Sequence, residues 1–226
     1  MEGVGRDMDS MDKSFDIFFF DLDGTLTESS LGITNSVIYA LKKFGIEETD
    51  RTKLYSFIGP PLTDSFEKFC GFTKEQCAEA VRYYREYYRE KGIFENHVYD
   101  GMEEVLKELK RRGKTLVVAT SKPEPFARQI IEHFGLDPYF DYVAGMELSG
   151  GRGTKEEVIR YALCACKIAD KSKVLMVGDR EHDVFGAHAA GMECLGILYG
   201  FGTREELVSA GADYIGETVE GILRFS

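Results

Sequence analysis

Acidic side chains follow apolar segments of this chain at the points where those segments end. Asp21 and Asp23 come one residue apart after the run FDIFFF, and Asp179 follows KVLMVG, with Asp183 four residues further on. A third apolar run, KTLVVA, is followed directly by the hydroxyl residue Thr120. Carboxylates that gather in one place repel one another unless a cation or shared protons offset the repulsion. These residues therefore predict a cation site.

Magnesium fits that site best. Mg²⁺ takes oxygen ligands and is held by one or two carboxylates together with water and substrate phosphate, whereas zinc prefers His and Cys. A magnesium ion would also let an anionic group bind beside the acidic residues, because it would supply the positive charge that a phosphate needs. We therefore expect Mg²⁺ as the cofactor and a small phosphorylated metabolite as the substrate.

The apolar segments that precede these residues have the pattern of buried strands. Candidates lie at 15–20, 114–119, 141–145, 173–177 and 192–197, and segments of helical period separate the later ones. Such alternation predicts an α/β fold with a doubly wound parallel, Rossmann-like sheet. Ligands of these sheets bind beyond the carboxyl ends of the strands, which is where the acidic and hydroxyl residues fall.

One long interval breaks the alternation. Residues 28–96 contain helical stretches such as GITNSVIYALKKFG but no strand candidate, and glycines and prolines divide them. We predict an inserted bundle of about four helices, a cap domain, at 28–96, with the catalytic core formed by 13–27 and 97–226. Residues 1–12 are expected to be a flexible N-terminus.

Composition excludes several classes of partner. Lys and Arg number 28 against 39 Asp and Glu in the 226 residues, a formal net charge of −11, which disfavours nucleic-acid binding. No apolar run approaches the roughly 20 residues of a membrane span, so a cytoplasmic protein is expected. The five cysteines include no C-x-x-C pair, which favours reduced thiols. Either a monomer or a homodimer is compatible with this composition.

Four short motifs of this chain resemble those of the haloacid dehalogenase superfamily. They are DLDGTLT, the threonine of VVATSKP, the lysine of GGRGTKEEVI, and VGDREHD, in that order. The resemblance extends from residue 15 to about 200, and the helical insertion looks like the small cap of the phosphoglycolate phosphatase-like branch. Each motif alone is also typical of a turn or a helix cap, but the ordered set favours the family.

The resemblance implies a role for each matching residue of the first motif. Asp21 would be the nucleophile that becomes an aspartyl phosphate, and Asp23 the general acid and later the base that activates water. The Gly24 turn would let both carboxylates face one substrate and would bring backbone close to the phosphate.

The remaining motifs imply the rest of the site. Thr120 would hydrogen-bond a phosphoryl oxygen, with Ser121 also near the phosphate, and Lys155 would neutralise charge on nucleophile and substrate. Asp179 would bind Mg²⁺ together with Asp21 and the backbone carbonyl of Asp23. Asp183 would orient the site, either as a ligand or through one.

Several further residues stay open at this level. Arg180, His182 and Lys122 lie inside or beside the motifs, where they could contact substrate or simply be solvated. The loop from Ser56 to Pro61, which contains Gly59, resembles the substrate-facing loop of related capped phosphatases, but it also fits a plain turn between helices.

Two arginine and glycine patterns have a structural interpretation that we favour. Arg82, Arg85 and Arg89 could line a substrate pocket, yet Arg82 and Glu86 are spaced for a salt bridge. The pattern Gly200-x-Gly202 follows a strand as in a dinucleotide site, but Glu205 stands where a third glycine is needed.

Three functions are compatible with the motifs. A magnesium-dependent phosphatase acting on phosphoglycolate, a nucleotide or a sugar phosphate is the leading hypothesis. A phosphomutase would use the same catalytic residues and return the phosphoryl group to another hydroxyl of the sugar. A binding protein without catalysis would have no need of both Asp21 and Asp23.

Overall fold

The computed structural model describes residues 13–148 and 151–226. Its contacts divide the chain into two compact units, one spanning Glu28–His97 and the other running up to Thr27 and from Val98 to Ser226. The predicted flexible N-terminus at 1–12 lies outside the described residues. The assignment of catalytic and cap roles to the two units stays a prediction.

The larger unit is built on a six-stranded sheet in the order β5-β4-β1-β6-β7-β8, in which every neighbouring pair is parallel. A separate two-stranded pairing joins β2 and β3. The strands are β1 Ile17–Phe20, β2 Thr27–Glu28, β3 His97–Val98, β4 Thr115–Pro123, β5 Tyr142–Met146, β6 Val174–Gly178, β7 Glu193–Ile197 and β8 Tyr214–Gly216. The predicted doubly wound parallel sheet is confirmed, and β8 is an additional edge strand that the sequence analysis did not find.

Eight α-helices lie in the part of the chain that the structure describes. They are α1 Ser30–Lys43, α2 Leu62–Cys70, α3 Lys74–Tyr87, α4 Met102–Arg111, α5 Glu124–His133, α6 Lys155–Ala165, α7 Glu181–Ala190 and α8 Arg204–Ala210. Helices α4 to α8 belong to the larger unit and connect its strands. Nowhere in residues 13–148 and 151–226 is there a helix with the length and apolar character that a membrane crossing requires.

Strand β1 occupies the middle of the sheet, between β4 and β6. Phe18, Phe19 and Phe20 are fully buried, and burying each such side chain stabilises the fold by about 1.5–3 kcal/mol. The register pairs Phe20 with Val118 of β4 and Val177 of β6. Both neighbouring strands continue beyond the end of β1, to Pro123 and to Gly178, so the residue that follows β1 still lies between them.

The smaller unit contains α1, α2 and α3, a 3-10 helix at Arg51–Phe57 and a π-helical turn at Tyr88–Gly92. Its helices pack closely where α1 meets the π-helical turn, because a Cβ on Gly32 would overlap the carbonyl oxygen of Gly92. Thr73 begins α3 with a capping box that pairs its side chain and backbone with Gln76. The unit is thus a small helical bundle.

Candidate active site

The two aspartates of the first motif lie at the carboxyl end of β1. Asp21 and Asp23 are 4% and 8% exposed, and the backbone N–H of Asp21 donates to the carbonyl of Val177, 3.0 Å away on β6. Gly24 then turns the chain with φ of +86°, and a Cβ there would overlap a carboxylate oxygen of Asp179. Only glycine satisfies both the backbone angle and that close approach.

Three buried carboxylates converge at this edge of the sheet. Asp21 follows β1, Asp179 follows β6, and Asp183 is in the first turn of α7; one oxygen from each lies within 4.8 Å of the others. Asp179 is 0% exposed and Asp183 is 1% exposed. The structure thus brings together three of the four residues predicted to hold the metal. The fourth, Asp23, was predicted to contribute its backbone carbonyl.

Burial and mutual repulsion perturb this cluster. Burial, followed by the charges of Asp183 and Asp21, raises the pKa of Asp179 well above its ordinary value. Burial also raises the pKa of Asp183 to about 6, although Lys155 opposes that shift. Such shifts mean that the charged cluster is costly in the protein alone. An all-oxygen donor set with excess buried negative charge fits a hard divalent cation.

Lys155 begins α6 and reaches into the acidic cluster. Its Nζ lies 2.8 Å from Asp21 Oδ1 and 2.8 Å from Asp183 Oδ1, and it donates to the carbonyl of Ala119 at 3.0 Å. Burial opposes the lysine's charge, but the two carboxylates outweigh it and raise the pKa of Lys155. A capping box at Thr154 fixes the start of α6 and thereby the position from which the lysine extends.

A second lysine, Lys122, enters the site from β4. Its Nζ lies 2.8 Å from Asp23 Oδ2, and the two side chains are only 5% and 10% exposed. The backbone N–H of Lys122 donates to Thr120 Oγ1 at 3.2 Å, and Thr120 is 1% exposed. Sequence reasoning left Lys122 open, whereas the structure brings it to the predicted general acid.

Two other residues, Ser121 and Gly59, were predicted to bind the phosphate or the substrate. Ser121 is half-buried. Gly59 lies in the helical unit, between the 3-10 helix and α2, with φ of +103°. Their proposed contacts with substrate remain predictions.

The ambiguous charged residues separate into distinct environments. Arg180 Nε lies 2.8 Å from Glu206 Oε1. His182 is half-buried, and burial lowers the pKa of its imidazole. Arg82 ion-pairs with Glu86 at 2.8 Å, as its spacing predicted. The arginine at 82 thus has the structural role that the sequence favoured.

The loop after β7 contributes to the site in a way that sequence reasoning missed. The backbone N–H of Phe201 donates to Asp179 Oδ2 at 2.8 Å. A Cβ on Gly202 would overlap the backbone carbonyl oxygen of Asp179, and one on Gly200 would overlap the carbonyl oxygen of Gly24. The glycine pair that fails as a dinucleotide signature therefore permits close packing around Asp179. The only signal in the sequence was a Gly-x-Gly directly after a strand.

Comparison with known proteins agrees with the architecture. Residues 18–197 match the haloacid dehalogenase-like hydrolase family. A 5'-nucleotidase of Pseudomonas aeruginosa is 50% identical over 188 residues, which are 83% of this chain and 85% of that protein. The tyrosine-protein kinase PtkA of Mycobacterium tuberculosis is 36% identical over 213 residues, 94% of this chain and 69% of the kinase.

A solved structure is similar over nearly its whole length. The crystal structure of a predicted phosphatase from Clostridium acetobutylicum has 48% sequence identity and a TM-score of 0.90, covering 93% of this chain and 97% of that one. The chain belongs to the haloacid dehalogenase-like hydrolase family. Within that family it is a phosphatase, a phosphoric monoester hydrolase, as the motifs predicted.

Proposed function

We propose that this phosphatase hydrolyses small phosphomonoesters with Mg²⁺ and through an aspartyl phosphate on Asp21. The observation that carries the proposal is the position of the Asp21 carboxylate. It lies beside the ammonium group of Lys155 and within reach of two further buried carboxylates. A buried carboxylate in that setting can act as a nucleophile because neighbouring positive charge would offset the charge of an incoming phosphoryl group.

The metal would be held by Asp21, Asp179, Asp183 and the backbone carbonyl of Asp23. The first three present buried carboxylate oxygens to one another, which is the donor chemistry that Mg²⁺ prefers. When bound, the ion supplies positive charge to the phosphoryl oxygens and lowers the repulsion between phosphate and carboxylates.

The protein's own residues carry two chemical steps. A carboxylate oxygen of Asp21 bonds to phosphorus while the bond from phosphorus to the leaving oxygen breaks, and Asp23 gives that oxygen its proton. Asp23, now ionised, takes a proton from water as the water oxygen bonds to phosphorus and the bond to Asp21 breaks. Lys155 holds the nucleophile, and the Thr120 hydroxyl is proposed to hold a phosphoryl oxygen.

Nucleoside 5'-monophosphates are the first substrates to test, because the relative that is 50% identical is named a 5'-nucleotidase. Phosphoglycolate and sugar phosphates remain candidates from the sequence. The proposal involves no nucleic-acid or membrane partner and no particular oligomeric state.

Phosphate release from a panel of these metabolites, with Mg²⁺ or with a chelator, tests the proposal. We expect release that needs Mg²⁺ and disappears in Asp21→Asn with the fold intact, and inhibition by aluminium or beryllium fluoride. Full activity in chelator would contradict the metal assignment. An isomeric sugar phosphate in place of free phosphate would indicate a mutase. Transfer of phosphate from ATP to a protein tyrosine would indicate the activity named for the mycobacterial relative.

A further inference from the structure

We infer that Lys122 is a positioning residue for Asp23, and that it fixes the carboxyl group that protonates the leaving oxygen. The inference deepens the proposed function and rests on it. It assigns to Lys122 a role separate from that of Lys155, although both are buried lysines that end on an aspartate of the same motif.

The backbone of β4 delivers Lys122 to this place. Thr120 pairs with Gly145 of β5, but the next paired residue is Pro123, opposite Met146, so the register shifts between them. A bulge of this kind bends a strand and re-aims its side chains. Lys122 is consequently directed to the carboxyl end of β1 and is only 8% exposed, although it is charged and near the end of its strand.

The contact holds one oxygen of Asp23 and leaves the other available. Asp23 Oδ2 lies 2.8 Å from Lys122 Nζ. The second oxygen, Oδ1, is buried and has no hydrogen-bond partner among residues 13–148 and 151–226. When one oxygen of a carboxyl group is anchored, the plane of the group is fixed, and so is the direction in which its second oxygen points. Asp23 Oδ1 is therefore the oxygen that we assign to proton transfer with the leaving group and with water.

The two lysines divide the site between them. Lys155 contacts the nucleophile Asp21 and the cluster residue Asp183, whereas Lys122 contacts the acid and base Asp23. A buried carboxylate without its cation would be free to rotate or to bind another group, and its proton would no longer meet the leaving oxygen in the required geometry. Loss of Lys122 should thus impair proton transfer more than phosphoryl binding.

Leaving groups of different basicity separate these two effects. An alkoxide such as a ribose 5'-oxygen needs a proton as its bond to phosphorus breaks, whereas p-nitrophenolate is stable without one. Removing a side chain that acts through the general acid should therefore lower the rate of hydrolysis of alkyl phosphates and have much less effect on aryl phosphates. A group that binds the phosphoryl oxygens matters equally for both, because both substrates present the same phosphate.

The experiment compares Lys122→Met with wild type on a nucleoside 5'-monophosphate and on p-nitrophenyl phosphate. We expect kcat to fall at least about 30-fold on the alkyl ester and less than about 5-fold on the aryl ester. The first figure is expected because general acids accelerate such reactions by about 10²- to 10⁴-fold. In an Asp23→Asn background, measured in single turnovers, Lys122→Met should change neither rate further. The inhibition constant of inorganic phosphate should be the same for Lys122→Met as for wild type.

Lys114→Met is the matched control. It removes the same charge immediately before β4, at the opposite end from Lys122, where Lys114 lies 3.6 Å from Asp16. We expect both rates to stay at wild-type values. Thermal unfolding of each variant with and without Mg²⁺ checks that the comparison is made on folded protein.

The outcomes are distinguishable. Equal loss on both esters, or weaker inhibition by phosphate, would mean that Lys122 binds the phosphoryl group and would overturn the inference while leaving the proposed function in place. An unchanged alkyl rate in Lys122→Met would overturn it as well. A wild-type enzyme inactive on every ester, or one indifferent to Asp21→Asn, would instead overturn the proposed function.

Discussion

Replacing Asp183 with asparagine should stabilise this protein in a chelating buffer, although it should impair the enzyme. Asp183 is 1% exposed and shares its surroundings with Asp21 and Asp179. Asparagine has nearly the same shape, and its amide oxygen can still accept the backbone N–H of Arg180, which now donates to Asp183 Oδ2 at 3.1 Å. The substitution therefore removes a repelling charge and keeps the hydrogen bond that begins α7. It also removes the ion pair between Asp183 Oδ1 and Lys155, but the raised pKa of Asp183 already includes the favourable effect of that lysine.

The magnitude follows from the shifted pKa. Burial raises the pKa of Asp183 from 3.8 to about 6, a difference of about 2 units, and each unit corresponds to about 1.4 kcal/mol. The ionised carboxylate thus destabilises the folded, metal-free protein by about 3 kcal/mol. Below pH 3.8 both the folded and unfolded states are protonated and the penalty vanishes. It grows as the pH rises and is complete above the folded pKa of about 6.

Denaturant unfolding in chelator, from about pH 4 to pH 8, measures the effect. The free energy of unfolding of Asp183→Asn should exceed that of wild type by about 3 kcal/mol above pH 7 and converge with it near pH 4. Mg²⁺ at about 1,000 times its Kd should reverse the order, because it would stabilise wild type by about 4.1 kcal/mol, which exceeds the difference of about 3 kcal/mol, and the variant binds it weakly. A variant less stable than wild type in chelator at every pH would refute the reasoning.

Asp141→Asn is the control for that measurement. The Asp141 side chain is 44% exposed and pairs with Lys110 at 2.8 Å, and it accepts the backbone N–H of Leu116. The same chemical change there should lower the free energy of unfolding by only about 0 to 1 kcal/mol, as for other exposed ion pairs.

Three further substitutions test other parts of the site. Lys155→Ala should lower kcat about 10²-fold or more, a loss of about 3 kcal/mol of transition-state stabilisation, in steady-state phosphate release; an unchanged kcat would remove Lys155 from the mechanism. Gly202→Ala should lower both activity and the gain in melting temperature on adding Mg²⁺, because the new Cβ displaces Asp179; wild-type values for both would contradict that packing. Gly59→Val should lower kcat/KM at least tenfold, about 1.4 kcal/mol, for the preferred metabolite and much less for an aryl phosphate, and a uniform loss on both would point to a misfolded helical unit.

Much of the fold was predictable because its strands carry a strong local signal. Phe18, Phe19 and Phe20 belong to a short continuous apolar run, which is typical of a strand buried on both faces, and the parallel sheet has β1 between β4 and β6. Strand β8, Tyr214–Gly216, was not found because three residues are too few to show a pattern. It forms because β7 offers an open edge with which Tyr214, Ile215 and Gly216 pair.

The acidic part of the site was predictable for a related reason. Asp21 and Asp179 follow apolar strands directly, so the parallel topology alone brings them to one edge. Lys122 and the loop at 200–202 depend instead on a register shift in β4 and on the packing of one backbone against another. Neither leaves a periodic trace in the sequence, because a bulge is set by the pairing of strands that are distant along the chain.

The residues that were hard to predict share a function: they fix residues that were easy to predict. Phe201 and Gly202 hold Asp179, and Lys122 holds one oxygen of Asp23. Carboxylates that repel one another would turn toward solvent if they were free, so a buried acidic site needs such contacts to keep its geometry. The supporting contacts come from both sides of β1 in the sheet. Strand β4 supplies Lys122 on one side, and the loop after β7 supplies Phe201 and Gly202 on the other. The geometry of the first motif is therefore a property of the whole sheet edge, although the motif itself is only seven residues long.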